Sequence, residues 1–442
     1  MMLKRVNDNR DLSAAKKTIG EASFPSPFRS GLEYASPARG TWNIVHVGML
    51  IPEAHEIFVC AASCLRGVVL TAAECGMEDR FSTVEIKENN LLDGDLEDLI
   101  VDGVSDIIKK LKKRPPAILV YTSCVHHFAG CDLDMVYQRL RQMHPDIDFT
   151  DCYMNPIMRK SGLTPDQLMR SRLYTLLKPN NIDENTVSII GNDFSTDDES
   201  QLVKMIRSAG KNLMEITRCS TYEEYQDMAK SSLYISYYPP AKAGGDMLEE
   251  RLGGRHIFLP FALSYDEIEK NLKELAGVLS CPLPDFALLR QKCEKALEHA
   301  KQIIGDTPIA IDYTALPRPL ALARLLLEHG FNVQRVYADT FIPLEKADFE
   351  YLKENHPKLE LYPTVHSSMR FMAEKENNGI LAIGQKAAHF CGTNRFVNIV
   401  EGGGMYDFEA IEKLCELMID AYENEKDMRN LIQIKGMGCG CI

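Results

Sequence analysis

Residues 117–132 read Ala-Ile-Leu-Val-Tyr-Thr-Ser-Cys-Val-His-His-Phe-Ala-Gly-Cys-Asp, and this stretch constrains the fold more than any other. A run of β-branched and aliphatic residues stops at Cys124, after which Gly130-Cys131-Asp132 turns the chain into a new helix. The run is a buried strand, and it ends in a thiol. In open α/β sheets ligands and chemistry collect at that end, because the strand fixes a group while the following loop opens. A second thiol group, Cys60-Ala-Ala-Ser-Cys64 with Cys75 beyond it, lies upstream. Together the two groups point to a metal cluster.

The helix before this strand is legible in detail. Leu96, Leu99, Ile100, Val104, Ile107, Ile108 and Leu111 recur at helical spacing, with acids at the start and Lys109, Lys110, Lys112 and Lys113 at the end. Pro115-Pro116 stops it and the strand follows. A further helix through Leu133, Val136, Tyr137, Leu140 and Met143 completes one βα step of a parallel sheet. The same grammar recurs at 186–190, where a strand, a Gly191-Asn-Asp loop and a Thr196…Glu199 capping box lead into a helix. Strands at 233–238 and 256–260 and a helix over 265–279 close that module.

A third module opens with a strand at 308–313, a Pro317-Arg318-Pro319 loop, a helix over 320–329 with Gly330 as its αL cap, and a strand at 331–336. A later strand at 379–383 ends in Gly384-Gln-Lys386, a ligand-facing loop. Gly402-Gly-Gly404 lacks the residue order of a phosphate loop and reads as a turn. The expected architecture is α/β: three Rossmann-like, doubly wound parallel-sheet domains around a shared cleft. They span 31–185, 186–300 and 301–404, with an N-terminal arm over 1–30. Helices over 405–442 are expected to return to the first domain.

With 45% hydrophobic and 26% charged residues over 442 positions, the chain has enough apolar surface for two or three full cores. A net charge of −13 without a Lys/Arg block argues against nucleic acid as a partner. The apolar runs fall short of the roughly 20 residues of a membrane span, and the first residues are too polar for a signal peptide. The expectation is a cytoplasmic protein with no membrane partner. Thirteen cysteines exceed what packing asks for in that setting. Cys281, Cys293 and Cys415, inside helical patterns, read as small buried hydrophobes. Disulfides are disfavoured there, which leaves metal or redox chemistry for the thiols that cluster. The tail Cys439-Gly-Cys-Ile442 fits a prenylation box only formally, with nothing polybasic before it.

Iron–sulfur clusters are held by cysteine thiolates, soft sulfur matching sulfide-bridged iron. The spacings Cys60-x3-Cys64 and Cys124-x6-Cys131 belong to neither a ferredoxin nor a zinc ribbon, so buried structural thiols compete with a cluster on spacing alone. His126 and His127 carry the same two readings, metal ligand or ordinary histidine.

Three segments carry a resemblance that goes further. His55-Glu-Ile-Phe-Val-Cys60 resembles, at its two ends, the His-Gly-x-x-Gly-Cys segment of the nitrogenase component 1 family. Cys124 through Gly130-Cys131-Asp132 resembles that family's Cys-x5-Gly-Asp-Asp, with Cys131 replacing one acid. Leu316-Pro-Arg318-Pro, followed by a helix and Gly330-Phe-Asn-Val333, resembles its third-domain strand, loop and helix. The family includes light-independent protochlorophyllide and chlorophyllide reductases and cofactor-assembly scaffolds.

This resemblance implies three Rossmann-like domains and paired subunits, as a homodimer or as a heterotetramer with a sibling component 1 chain. It also implies an iron–sulfur cluster fed by an ATP-dependent [4Fe–4S] iron protein. By position Cys60 and Cys124 are its expected ligands. The family's first cluster cysteine falls within Leu32 to Ser36, where this chain has no thiol. Cys64 is the most economical substitute, with Cys75 and Cys131 behind it and Glu33 or Ser36 as oxygen donors. The nitrogenase cofactor's cysteine falls near Tyr238 and its histidine near Ile399, so neither expected ligand of that metal cofactor is present. The implied function is a reductase subunit carrying a [4Fe–4S]-type cluster. Its small-molecule substrate, other than dinitrogen, occupies the cleft at Tyr238, Asp312, Gly384 and Lys386. A tetrapyrrole-type reductase and a cluster or cofactor assembly scaffold are the alternatives.

Overall fold

A computed structural model describes residues 15–29, 44–74, 76–154, 163–372, 379–428, 430 and 431. The described residues form two compact units. One holds those of Thr41–Ser195 and Gly210–Pro260; the other holds those of Met1–Gly40, Thr196–Ala209 and Phe261–Ile442. The first strand in the chain, β1 (Lys17–Thr18), belongs to the second of these units.

The unit built on Thr41–Ser195 contains two four-stranded parallel sheets. β2 (His55–Ala61), β3 (Phe81–Ile86), β4 (Ala117–Ser123) and β5 (Asp148–Met154) lie in the order β3-β2-β4-β5. All seven residues of β4 are buried, which is why it reads as an unbroken apolar run rather than an alternating one. The helix Leu96–Lys110 lays Ile100, Val101, Val104 and Ile108 on one sheet face with Ile57, Val59, Ile118 and Val120. On the other face Phe58, Cys60, Leu119 and Tyr121 share a second core, with the Phe58 and Tyr121 rings stacked 4.0 Å apart. β6 (Asp183–Ile189), β7 (Asn212–Glu215), β8 (Ser231–Ser236) and β9 (Arg255–Phe258) form the second sheet, in the order β7-β6-β8-β9.

The other unit contains a six-stranded sheet. β10 (Pro308–Asp312), β11 (Asn332–Tyr337), β12 (Glu360–Tyr362), β13 (Leu381–Ile383) and β14 (Phe396–Val397) are parallel, and β1 pairs antiparallel with β12 in the order β1-β12-β11-β10-β13-β14. The described part of the N-terminal arm is thus an edge of this sheet. Phe24 meets the Phe349 ring edge-on at 5.5 Å, and Phe341 N–H donates to Pro25 O at 2.9 Å.

Two expectations need correcting here. The helix Asp407–Glu423 packs on Phe286–Ile304 in this unit rather than with the first sheet. Phe408 stacks near Tyr265 and Phe286, and the Cys293 thiol donates to Phe408 O at 3.3 Å. An apolar stripe shows that a helix is buried without naming the surface that buries it. The helix after β6 begins at Gln201, not at a Thr196…Glu199 box. Ser200 Oγ accepts from Val203 N–H and the Asp407 carboxylate accepts from Leu202 N–H at 3.0 Å.

In each sheet the chain leaves a central pair of strands in opposite directions: β2 and β4, β6 and β8, β10 and β13. Such switch points open a crevice at the carboxyl ends of the paired strands. Among the described residues no helix is long and apolar enough to cross a membrane.

Candidate metal centre

Cys60 is the penultimate residue of β2, and Cys124 is the first residue after β4, its neighbour in the sheet. With Val59 in register with Thr122, both thiols stand at the carboxyl end of one switch point. Cys64 lies in the first turn of the helix Ala62–Glu74 that follows β2. Cys60 is buried, Cys124 half-buried and Cys64 exposed, and none of the three is in a disulfide. Burial pushes the Cys60 thiol up to about 12, and the sulfurs of Cys64 and Cys124 push it further in the same direction. Each therefore lies within electrostatic reach of Cys60.

The local chain explains this placement. Cys124 opens a single helical turn, Cys124–Ala129, whose N-terminus is closed by Ser123 N–H donating to His126 Nδ1 at 3.1 Å. Gly130, at φ 71°, ends the turn in the left-handed region, and Asp132 caps the next helix by accepting from Met135 N–H at 3.0 Å. Among the described residues no three His, Cys, Asp or Glu side chains converge on one metal ion. Cys60, Cys64 and Cys124 are all thiols, donors of the soft kind that hold sulfide-bridged iron.

Cys131 does not join this group. It packs against the opposite face of the sheet, beside Ile107 and Leu133, where burial and Glu97 raise its thiol. His126 lies on that side too: Glu97 acts on its ring, which is buried and leaves Nε2 without a hydrogen-bond partner. His127 is exposed. Cys75, Glu33, Ser36, Cys439 and Cys441 lie outside the described residues.

At the third sheet's switch point Asp312, Gly384 and Lys386 come together. The Asp312 carboxylate accepts from Thr314 N–H at 2.8 Å and Ala387 N–H at 2.7 Å. Gly384, at φ 107°, faces it so closely that a Cβ would lie 2.3 Å from Oδ2. Lys386 and Asp312 are both buried and attract each other, while burial pushes the ammonium down and the carboxyl up. His389, on the same short helix, is buried with both ring nitrogens unpartnered. Tyr238 belongs to the other unit. It is buried beneath the Arg170 guanidinium, 4.5 Å from its ring centre.

Sequence reading passed over Glu56. It lies fully buried at the second position of β2, on the face that carries Cys60, accepts from Tyr121 O–H at 3.3 Å and leaves Oε2 unpaired. A lone acid inside the apolar run His55-Glu-Ile-Phe-Val was the available signal.

Comparison with known proteins places the fold and the family. A family model described as nitrogenase component 1 type oxidoreductase matches residues 46–394. A solved structure titled "Nitrogenase Cp1 at pH 6.5" superposes with a TM-score of 0.64 at 14% identity, covering 89% of this chain and 94% of that one. A second, "Nitrogenase Cp1 at pH 5", gives 0.61 at 15% identity, covering 93% and 94%. No curated protein sequence matches. The chain belongs to the nitrogenase component 1 type oxidoreductases.

Proposed function

We infer that this chain is a reductase subunit that receives electrons from a separate ATP-hydrolysing iron protein and passes them to a small molecule other than dinitrogen. The observation that supports this reading is the placement of Cys60 and Cys124 at the carboxyl ends of the neighbouring strands β2 and β4, with Cys64 in the helix that follows β2, in a chain from this family. Those three thiols would hold a [4Fe–4S]-type cluster, which when bound supplies one-electron relay. Three ligands leave room for a fourth from a paired subunit, which supports a homodimer or a pairing with a sibling chain. Buried β2 and β4 hold two of the sulfurs on a rigid frame, and the apolar surroundings of Cys60 keep water away from it.

Substrate is assigned to the switch point of the third sheet, where Lys386 offers a buried cation and Asp312 with Gly384 the frame that fixes it. Tyr238 and Ile399 stand where the resemblance puts the ligands of the nitrogenase metal cofactor, and neither side chain is such a ligand. That favours, as a second reading, a tetrapyrrole-type reductase that works without a second metal cofactor.

Mixing the anaerobically reconstituted chain with a reduced iron protein tests the reading. Bleaching of the thiolate–iron absorption that requires ATP hydrolysis is expected. A chain that holds iron and sulfide yet accepts no electrons under any nucleotide condition would be an assembly scaffold instead.

A further inference from the structure

The chain enters the unit of the six-stranded sheet at Thr196 and leaves it after Ala209, and the start of that stretch is fastened to the first turn of the helix Asp407–Glu423. Asp197 N–H donates to Gly404 O at 2.9 Å. The Asp407 carboxylate, 1% exposed, accepts from Leu202 N–H at 3.0 Å and from Glu409 N–H at 3.3 Å. Asp407 itself stands at φ 54°, in the left-handed region that Asp and Asn visit more readily than other side chains. Beside it the Glu409 carboxyl meets that of Asp197 at hydrogen-bonding range, while no donor reaches the buried Glu409 Oε2. Two carboxyl groups at that range hold together only through a shared proton, since a carboxylate has nothing to donate.

A cavity of about 280 Å³ opens beside this meeting, with Asp197, Glu199, Lys204, Lys292, Glu409 and Glu412 in its wall. Its lysines are already matched: Lys204 pairs with Glu199 at 2.8 Å, Lys413 with Glu416 at 3.2 Å, and Lys292 acts on Glu412. Asp198 pairs with Arg207 at 2.8 Å, and the helix Tyr265–Leu279 brings the uncharged Asn271 amide, which donates to Tyr406 Oη at 3.2 Å. Arg395, from the strand side, reaches Glu425 and the Tyr422 ring at the far end of the helix Asp407–Glu423. Among the described residues Asp197, Asp407 and Glu409 therefore have no cation of their own. Burial pushes the Asp407 carboxyl up to about 7 and the Glu409 carboxyl up to about 8, and the charges of Asp197 and Asp407 add to the second.

We propose that Asp197, Asp407 and Glu409 form a proton-operated clasp that fastens the segment Thr196–Ser208 to the helix Asp407–Glu423 and lets it go when the protons leave. Closed, the protonated Glu409 donates to the Asp197 carboxylate, and Asp407 holds the Leu202 and Glu409 N–H groups. As pH rises the protons pass to water, and three negative charges face one another in a poorly hydrated gap. Both raised carboxyls keep in the closed form a proton that the open form gives up. Closure is therefore strongest at or below the ordinary carboxyl range, weakens as pH rises through neutrality, and loses nothing further above about 8. The window lies where ordinary carboxylates no longer titrate, and the device needs no metal to work.

Amide hydrogen exchange of residues 197–208 in the full chain tests the clasp, read as protection factors so that the intrinsic effect of pH on exchange cancels. Wild-type protection should fall by roughly 100-fold or more between about pH 5.5 and 8.5. Glu409→Gln keeps a donor toward Asp197, and Asp407→Asn keeps an acceptor at a backbone angle asparagine tolerates. Each should remove part of the fall, and the two together nearly all of it. Wild-type protection that stays level across the window would overturn the clasp, and so would an equal fall in wild type and the double variant. A ¹³C titration of the Glu409 carboxyl in wild type needs no variant to fold. A midpoint near 8 is expected, and an ordinary one near 4 would overturn the clasp as well.

Discussion

The carboxyl ends of β2/β4 and of β10/β13 occupy the same place in the same topology, yet their chemistry is opposite. At β10/β13 the Asp312 carboxylate is enclosed by Thr314 and Ala387 N–H groups, a facing glycine and a buried lysine. At β2/β4 the thiols are graded from buried Cys60 through half-buried Cys124 to exposed Cys64. One end has spent its polar groups on holding the sheet and helix together, so its residues serve function by position. The other keeps soft donors available, which is what a ligand-binding end requires. The contrast predicts where substitutions cost stability and where they cost only metal.

The largest effect on stability belongs to Asp312→Ala. It strands two buried N–H donors and removes one of the carboxylates, Asp312 beside Asp339, that act on the buried Lys386, a loss of about 3–5 kcal/mol in chemical denaturation. A loss as small as that of a surface substitution would show that the third sheet's end is not closed. Gly384→Ala follows at about 1–3 kcal/mol, because a left-handed backbone and a Cβ pressed on the carboxylate add strain.

Glu56→Gln sharpens the comparison through pH. Burial holds the Glu56 carboxyl well above its ordinary range, so the folded chain keeps a proton that the unfolded chain gives up above its unfolded pKa. Wild-type stability should therefore fall as pH rises from about 5 to 8. The glutamine variant should lose less over that window in pH-dependent denaturation; parallel curves would show an ionised Glu56. Smallest of all is Cys124→Ser in the metal-free chain, expected within about 0.5–1 kcal/mol of wild type. A larger cost would make Cys124 a structural thiol like Cys293.

Much of this frame was legible beforehand because it is written in local periodicity. The helix Leu96–Lys110, the strand Ala117–Ser123 and the helix Tyr265–Leu279 begin and end where spacing, charge and proline place them. Partnership across the fold was not legible. Nothing in Asp407–Glu423 names Phe286–Ile304 as its neighbour, and nothing in the chain after β6 says that Ser200 and Asp407 share its cap. The same limit applied to the sites. That Cys60 and Cys124 stand at strand ends was legible from the apolar runs before them, whereas Cys131, close to Cys124 in sequence, lies on the other face. Asp197 comes from a loop and Asp407 and Glu409 from a helix far along the chain, with no common motif, so only coordinates bring them together.

The central claim is that the β2/β4 end grips an inorganic core, and iron and acid-labile sulfide measured on anaerobically reconstituted protein test it most directly. Wild type should bind iron and sulfide in near-equal amounts, while Cys60→Ala/Cys124→Ala, folded by circular dichroism, should bind neither. Equal iron and sulfide in wild type and the double variant would contradict it.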